Sequence, residues 1–354
     1  MIKAPTLTGP YASHRHDVTL TDRRRKDPHV LEAMPRMLSL NIFTPTEQPS
    51  RIHPYDPDAC LFWQQAPFWS QQQKGYLTEA LQKFHSYSAP YQPSSLRQSY
   101  PLVLFSHGFL AFGTLYSYLI EELVSHGFVV VAINHTHASS YAKIDKTMVY
   151  GKMTQKDLFQ DSFADQEQSI WTEDMLYVLN QIIDKNINTL THLVDLDNIF
   201  AVGHSFGGST AVRATHHSSS IKGCVNLDGA LFGVQTIENL RQPCLLLQGE
   251  KSLDSMVEKN TVARLQKDFH ISEASAKQFQ EAYVHRLEKL ASTSQKTQRV
   301  VMKGIDHMGF TDFNFLSQSA LFQGVPIGTL APDQMINAIR RHVLHFLNEQ
   351  MAQQ

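Results

Sequence analysis

The hexapeptide Gly203–His204–Ser205–Phe206–Gly207–Gly208 holds the serine best placed for chemistry. The apolar run at 199–202 precedes it directly and a helical pattern at 209–217 follows it. A Gly-x-Ser-x-Gly turn between a strand and a helix puts its serine on a sharp, strained bend, with small residues on either side letting the chain pass close to itself. The hydroxyl of Ser205 then stands above a sheet, at a helix N-terminus whose partial positive charge favours a developing oxyanion. This is the setting of a nucleophile, and it calls for a base, an acid and two backbone N–H donors.

In a turn of this kind the partners follow in the order acid, then histidine. His307, in Gly304–Ile305–Asp306–His307–Met308–Gly309–Phe310, comes directly after the last strand-like run and fits the base. His216 and His217 belong to the helix after the elbow, His342 and His345 to a terminal helix, and His270 and His285 to an inserted segment. For the acid, Asp228 and Glu250 compete, each at the end of a strand-like run, with Asp254 just beyond. Catalytic groups collect at such C-terminal strand ends, so position alone leaves the two even. Asp306 points away if His307 points inward and is read as a loop carboxylate. The oxyanion donors are expected to be the amides of Phe206, after the nucleophile, and Phe109, in the loop after the run 101–107. His107 is expected to pack or hydrogen-bond within that loop.

These positions require a scaffold. Short apolar runs at 101–107, 128–134, 199–204, 221–227, 244–249 and 298–304 alternate with helical patterns at 115–125 and 163–183, and a terminal helix is expected at 333–349. Such alternation predicts an α/β fold with a mostly parallel central sheet flanked by helices. The chain is expected to form a single domain over 1–354, with a helical cap-like insertion at 251–297. Residues 1–100 read as an irregular N-terminal extension, with a first strand at 36–44, a polar segment at 11–26 and aromatic anchors at Trp63, Phe68 and Trp69. Arg23–Arg24–Arg25–Lys26 reads as a solvated turn.

Composition narrows the classes. The chain has 31 Lys+Arg against 33 Asp+Glu, a balance that argues against nucleic-acid binding through charge. Three cysteines, Cys60, Cys224 and Cys244, make no disulfide framework and are expected to be structural thiols. Eighteen histidines raise the question of metal, yet the pairs His14/His16 and His135/His137 match no zinc pattern. No metal or organic cofactor is expected. No signal-peptide-like or membrane-spanning run occurs, so the default expectation is a cytosolic protein, with export by another route left open.

The motifs SHGFLAFGTLYS, GHSFGGST, LDGALF and KGIDHMGFTDF, in this order, resemble the platelet-activating-factor acetylhydrolases of the plasma and intracellular type, and Gly9–Pro10–Tyr11 and YPLVLFSHG extend the likeness. The resemblance implies an α/β-hydrolase fold and a calcium-independent serine phospholipase acting on short or oxidised sn-2 acyl chains. It maps the acid onto Asp228 rather than Glu250 and supports Phe109 and Phe206 as oxyanion donors. Two features depart from the family: NHTHASSYAK, where an acidic and then a basic residue are usual, and the length of the 251–296 segment. The implied partner is a phospholipid or a small ester. Transient membrane contact through Phe62, Trp63, Phe68, Trp69 or the helical stretch 274–290 competes with a cap packed on the core, which the mixed charge and spaced apolar residues of 257–290 favour. The competing readings are a short-chain carboxylesterase of the dienelactone-hydrolase or cutinase-like kind and a hydrolase-fold binding protein without catalysis.

Overall fold

Runs such as Leu102 to Phe105 and Val129 to Ile133 have no polar face, so a sheet built from them must be covered on both sides. In the computed structural model that is what happens. It describes residues 5–48, 53–65, 71–72, 74–75, 79, 84–92, 98–159, 162–232, 237–252, 261–316 and 325–353. Phe68, Trp69 and Asp254 lie outside the described residues, as does the side chain of Trp63.

Nine strands form the main sheet among the described residues. They are β1 (Ala12–Lys26), β2 (Pro35–Thr46), β3 (Ser88–Pro90), β4 (Tyr100–Ser106), β5 (Val129–Asn134), β6 (Val194–His204), β7 (Ile221–Leu227), β8 (Cys244–Gly249) and β9 (Thr297–Met302). Their spatial order is β9-β8-β7-β6-β4-β5-β2-β1-β3. From β9 to β5 every pair is parallel, and β2 is antiparallel to both β5 and β1. The helices include α1 (Pro57–Gln65), α2 (Ser117–Ser125), α3 (Phe163–Ile183), α4 (Phe206–His217), α5 (Thr261–Phe269), α6 (Glu273–Thr293) and α7 (Pro332–Ala352).

The two-residue period of the strands sorts the core into two layers. Val103, Phe105, Val202, Val225 and Leu247 face α2 and α7, packing with Leu119, Leu123, Ile339 and Phe346. Leu102, Leu104, Ala201, Cys224 and Leu246 face α3, α4 and α6, packing with Trp171, Val178, Val212, Leu287 and Leu290. Cys60, Cys224 and Cys244 are free thiols.

The N-terminal segment differs from the sequence reading. Residues 11–26 are not irregular: Ala12 to Asp22 pair in continuous register with Thr46 to Arg36 of β2. This strand lies toward the margin of the sheet, where backbone pairing sets its order and a run of buried apolar side chains is not needed. The basic run belongs to this strand rather than to a turn: Arg23, Arg24 and Lys26 are solvated as expected, and Arg25 is not. Arg25 bonds Asp22 at 2.7 Å and Asp174 of α3 at 2.8 Å, so it ties β1 to a helix.

The segment between β8 and β9 supplies the crossover that two parallel neighbours require. Its helix α6 turns Tyr283, Leu287 and Leu290 into the core, which leaves those side chains unable to enter a lipid layer. Phe62 is likewise buried, 5.4 Å ring to ring from Tyr141, and is a core residue rather than a membrane anchor. Among the described residues no helix is long and apolar enough to cross a membrane, and no group of three or more potential ligands could hold a metal ion.

Candidate active site

The last residue of β6 is His204 and the first of α4 is Phe206, so Ser205 alone makes the turn. Its backbone is at φ 55° and ψ −121°, a strained conformation for a residue with a Cβ, worth on the order of 1–3 kcal/mol. The surroundings enforce it. A Cβ at Gly203 would overlap the carbonyl of Gly207, and a Cβ at Gly207 would overlap the carbonyl of Ser106. The Ser205 amide donates to the carbonyl of Leu227 at 2.8 Å, and its own carbonyl receives the amides of Gly208 and Ser209, which starts α4.

Leu227 ends β7, and the next residue, Asp228, turns back with φ 56°. One carboxylate oxygen, Oδ1, accepts the Gly249 amide at 2.8 Å; the other, Oδ2, accepts Ser252 Oγ–H at 2.5 Å and His307 Nδ1–H at 2.7 Å. Burial favours the neutral acid, but the hydrogen bond and charge of His307, with Ser252 and Gly249, outweigh it and hold the Asp228 pKa below the usual carboxylate value. Asp228 is therefore an anion that fixes His307 with Nδ1 protonated, leaving Nε2 available as a base. His307 itself is about a third exposed.

Glu250 has a different partner. Its Oε2 accepts the Gly304 amide at 2.8 Å and its own amide donates to Ile305 O at 2.7 Å, which shapes the turn leading to His307. Asp306 accepts from Lys251 Nζ at 3.2 Å. Beyond His307, Asp312 accepts the amides of Ser117 and Tyr118 and the hydroxyls of Ser117 and Tyr55, pinning the histidine loop to the start of α2.

The loop after β4 comes up beside the serine, where a Cβ on Gly108 would sit 3.2 Å from Ser205 Cβ. His107 Nδ1–H donates to the Gly108 carbonyl at 2.7 Å, and the Ala111 amide donates to it at 2.9 Å. In a trans peptide C=O and N–H point opposite ways, so anchoring this carbonyl also sets the direction of the Phe109 N–H. Phe206 opens α4, so its amide is one of the first in the helix, which have no intrahelical acceptor. The rings of Phe109 and Phe206 lie 5.6 Å apart.

Sequence reading missed a buried, hydrogen-bonded serine, histidine and aspartate apart from Ser205, His307 and Asp228. Ser106 Oγ is 3.0 Å from His135 Nε2, and His135 Nδ1 is 2.9 Å from Asp174. All three are fully buried, and Arg36 clamps Asp174 in bidentate fashion at 2.7 and 3.2 Å. No substrate reaches this group, and it braces the elbow from below. His135 stacks on Trp171 at 3.9 Å, and Trp171 meets Phe206 edge-on at 4.9 Å. Ser252 was missed as well, and nothing in its local sequence marks it as a partner of Asp228.

A mostly parallel sheet with a strained serine between β6 and α4, an aspartate after β7 and a histidine after β9 defines the α/β-hydrolase fold. A ferulic acid esterase from Streptomyces cinnamoneus shares it, with a TM-score of 0.75 over 98% of this chain and 92% of its own, at 19% identity. The chain belongs to the family of platelet-activating factor acetylhydrolase, isoform II, whose model matches residues 70–177 and 172–354. It is 23% identical to the platelet-activating factor acetylhydrolase of Gallus gallus over 292 residues, 72% of this chain and 63% of that one. It is 26% identical to that of Canis lupus familiaris over 63% of this chain and 50% of that one. A probable 1-alkyl-2-acetylglycerophosphocholine esterase of Arthroderma benhamiae is 24% identical over 65% of this chain and 59% of its own. The chain thus spans between half and two thirds of the length of these curated relatives.

Proposed function

We propose that this protein is a serine esterase that removes short or oxidised acyl groups from the sn-2 position of phospholipids through an acyl-enzyme on Ser205. The observation that carries the reading is the 2.7 Å bond between Asp228 and His307, with the strained, partly accessible Ser205 next in the chain to His204, whose Nε2 lies 2.9 Å from the His307 carbonyl. The names of the relatives support the substrate class, since one is a probable esterase of a 2-acetyl glycerophosphocholine.

His307 Nε2 takes the proton of Ser205 as Oγ attacks the ester carbonyl. The amides of Phe206 and Phe109 receive the negative charge that forms on the carbonyl oxygen, each worth roughly 3 kcal/mol in comparable sites. His307 then hands the proton to the departing glycerol oxygen, and water repeats the cycle on the acyl-enzyme.

Because His307 protonates the alcohol, the alcohol leaves on the side of His307, whose loop packs through Ile305 and Phe310 into the α2/α7 layer. The acyl group extends the other way, toward Phe206 and Phe232 in the α3/α4/α6 layer. There lies a cleft of mixed character, apolar at Leu158, Phe159, Phe232 and Phe279 and polar at Gln278 and the Asp165–Arg286 ion pair.

A panel of phosphatidylcholines with acetyl, oxidised and long sn-2 chains, run beside simple p-nitrophenyl esters, tests the proposal. Preference for the short and oxidised lipids is expected. Turnover of simple esters without hydrolysis of any phospholipid would favour a general carboxylesterase.

A further inference from the structure

We infer that Tyr116 and His204 are positioning residues that lock the oxyanion loop and the catalytic base to each other. The Gly108 amide donates to Tyr116 Oη at 2.9 Å. Tyr116 Oη lies 2.8 Å from His204 Nδ1, and His204 Nε2 lies 2.9 Å from the backbone carbonyl of His307. One end of this chain is the residue before Phe109, and the other is the base itself.

The proton positions follow from the partners. The carbonyl of His307 only accepts, so His204 carries its proton on Nε2. Full burial, and after it the nearby His307, holds the His204 pKa down at about 3, so the ring is neutral and Nδ1 accepts. Tyr116 must then donate its single proton to Nδ1 while its oxygen receives Gly108 N–H. Every donor has one acceptor, and no alternative arrangement satisfies all four groups.

The chain closes a circuit around the nucleophile. Ser205 N–H bonds Leu227, Asp228 follows and bonds His307, and His307 is bonded through its carbonyl by His204, the residue before Ser205. Tyr116 extends this circuit to Gly108, which packs against Ser205. A shift of the oxyanion loop is thereby transmitted to the base, so removing a link misaligns donor and base together. Alignment of this kind is felt in the transition state more than in substrate binding.

The inference rests on the assignment of Ser205, His307 and Phe109 given above, and the experiment separates the two. Tyr116→Phe, His204→Phe and the double variant are made in the full chain, and kcat is expressed per active site titrated with a fluorophosphonate, so that unfolded molecules do not count. Each single change is expected to lower kcat about tenfold or more with KM within about twofold. The double variant is expected to lose no more than the worse single one, because both break one chain. A Tyr116→Phe enzyme with undiminished kcat, or losses that multiply in the double variant, would overturn the inference. With Ser205→Ala inactive such results overturn the inference alone; hydrolysis that survives Ser205→Ala overturns the catalytic assignment and the inference with it.

Discussion

His307 and Asp228 meet across the end of β8, which lies between the strands that carry them, with Nδ1 and Oδ2 2.7 Å apart. The contact is possible because Asp228 turns back at φ 56° and because the Gly249 amide, at the end of β8, holds its second oxygen. Asp228→Asn keeps the shape but removes the charge and permits the wrong tautomer, and is expected to lower kcat by roughly 10⁴. Glu250→Gln still accepts from Gly304 and is expected to stay within about tenfold of the parent. Steady-state rates on one ester settle the pair, and a larger loss in Glu250→Gln would reverse the choice of acid.

Acid should weaken the fold through its buried neutral histidines. Burial, followed by His307, depresses the His204 pKa to about 3, and burial, followed by His135, depresses that of His107 well below its usual value. Between the ordinary histidine value of about 6.5 and these lower ones, the unfolded chain binds protons that the native chain refuses, so stability falls as pH falls. Each such ring contributes a slope of about 1.4 kcal/mol per pH unit in that window. His204→Phe should shrink the stability difference between about pH 7 and about pH 5 by about 2 kcal/mol, read from urea midpoints. Asp228, also depressed, adds its own loss only as pH falls further, through its lowered pKa. An unchanged pH dependence in His204→Phe would contradict a neutral, buried ring.

Arg36 and Asp174 form a buried ion pair between β2 and α3, to which Asp27, Arg25 and His135 add further bonds. Replacing Arg36 by Met leaves a carboxylate buried with fewer partners, and a loss of about 3–5 kcal/mol is expected. Denaturant unfolding measures it, and a loss below about 1 kcal/mol would mean that Arg25 and His135 suffice.

The cleft between Phe232 and α6 should sort acyl chains. Ala282 lines it, none of residues 203–208 does, and Ala282→Trp is expected to fill it. The ratio of kcat/KM for a six-carbon ester to that for an acetyl ester is expected to fall about tenfold or more, in keeping with what a few lost methylene contacts are worth. A ratio that does not move would send the acyl chain elsewhere.

The sequence was informative where burial imposes a pattern. The runs that became β4, β5, β7 and β8 are apolar because both faces are covered, and the elbow is visible because only glycine fits beside the carbonyls of Gly207 and Ser106. β1 carries only a weak pattern, since its pairing is set by backbone bonds to β2 and only Val18 and Leu20 alternate onto the core among polar and charged side chains. The acid was ambiguous for a related reason. Asp228 and Glu250 both end strands, and only the three-dimensional turn assigns one to His307 and the other to the Gly304 amide. Tyr116 and His204 looked like ordinary motif residues, and their joint role depends on contacts 88 residues apart in the chain.

The most direct test of the account is the reaction of the purified protein with a fluorophosphonate, followed by peptide mapping and paired with turnover of an sn-2 acetyl phosphatidylcholine. A single covalent adduct on Ser205 is expected, with loss of turnover in proportion to labelling and neither adduct nor turnover in a folded Ser205→Ala variant. Sustained hydrolysis in that variant, or an adduct on another residue, would contradict it.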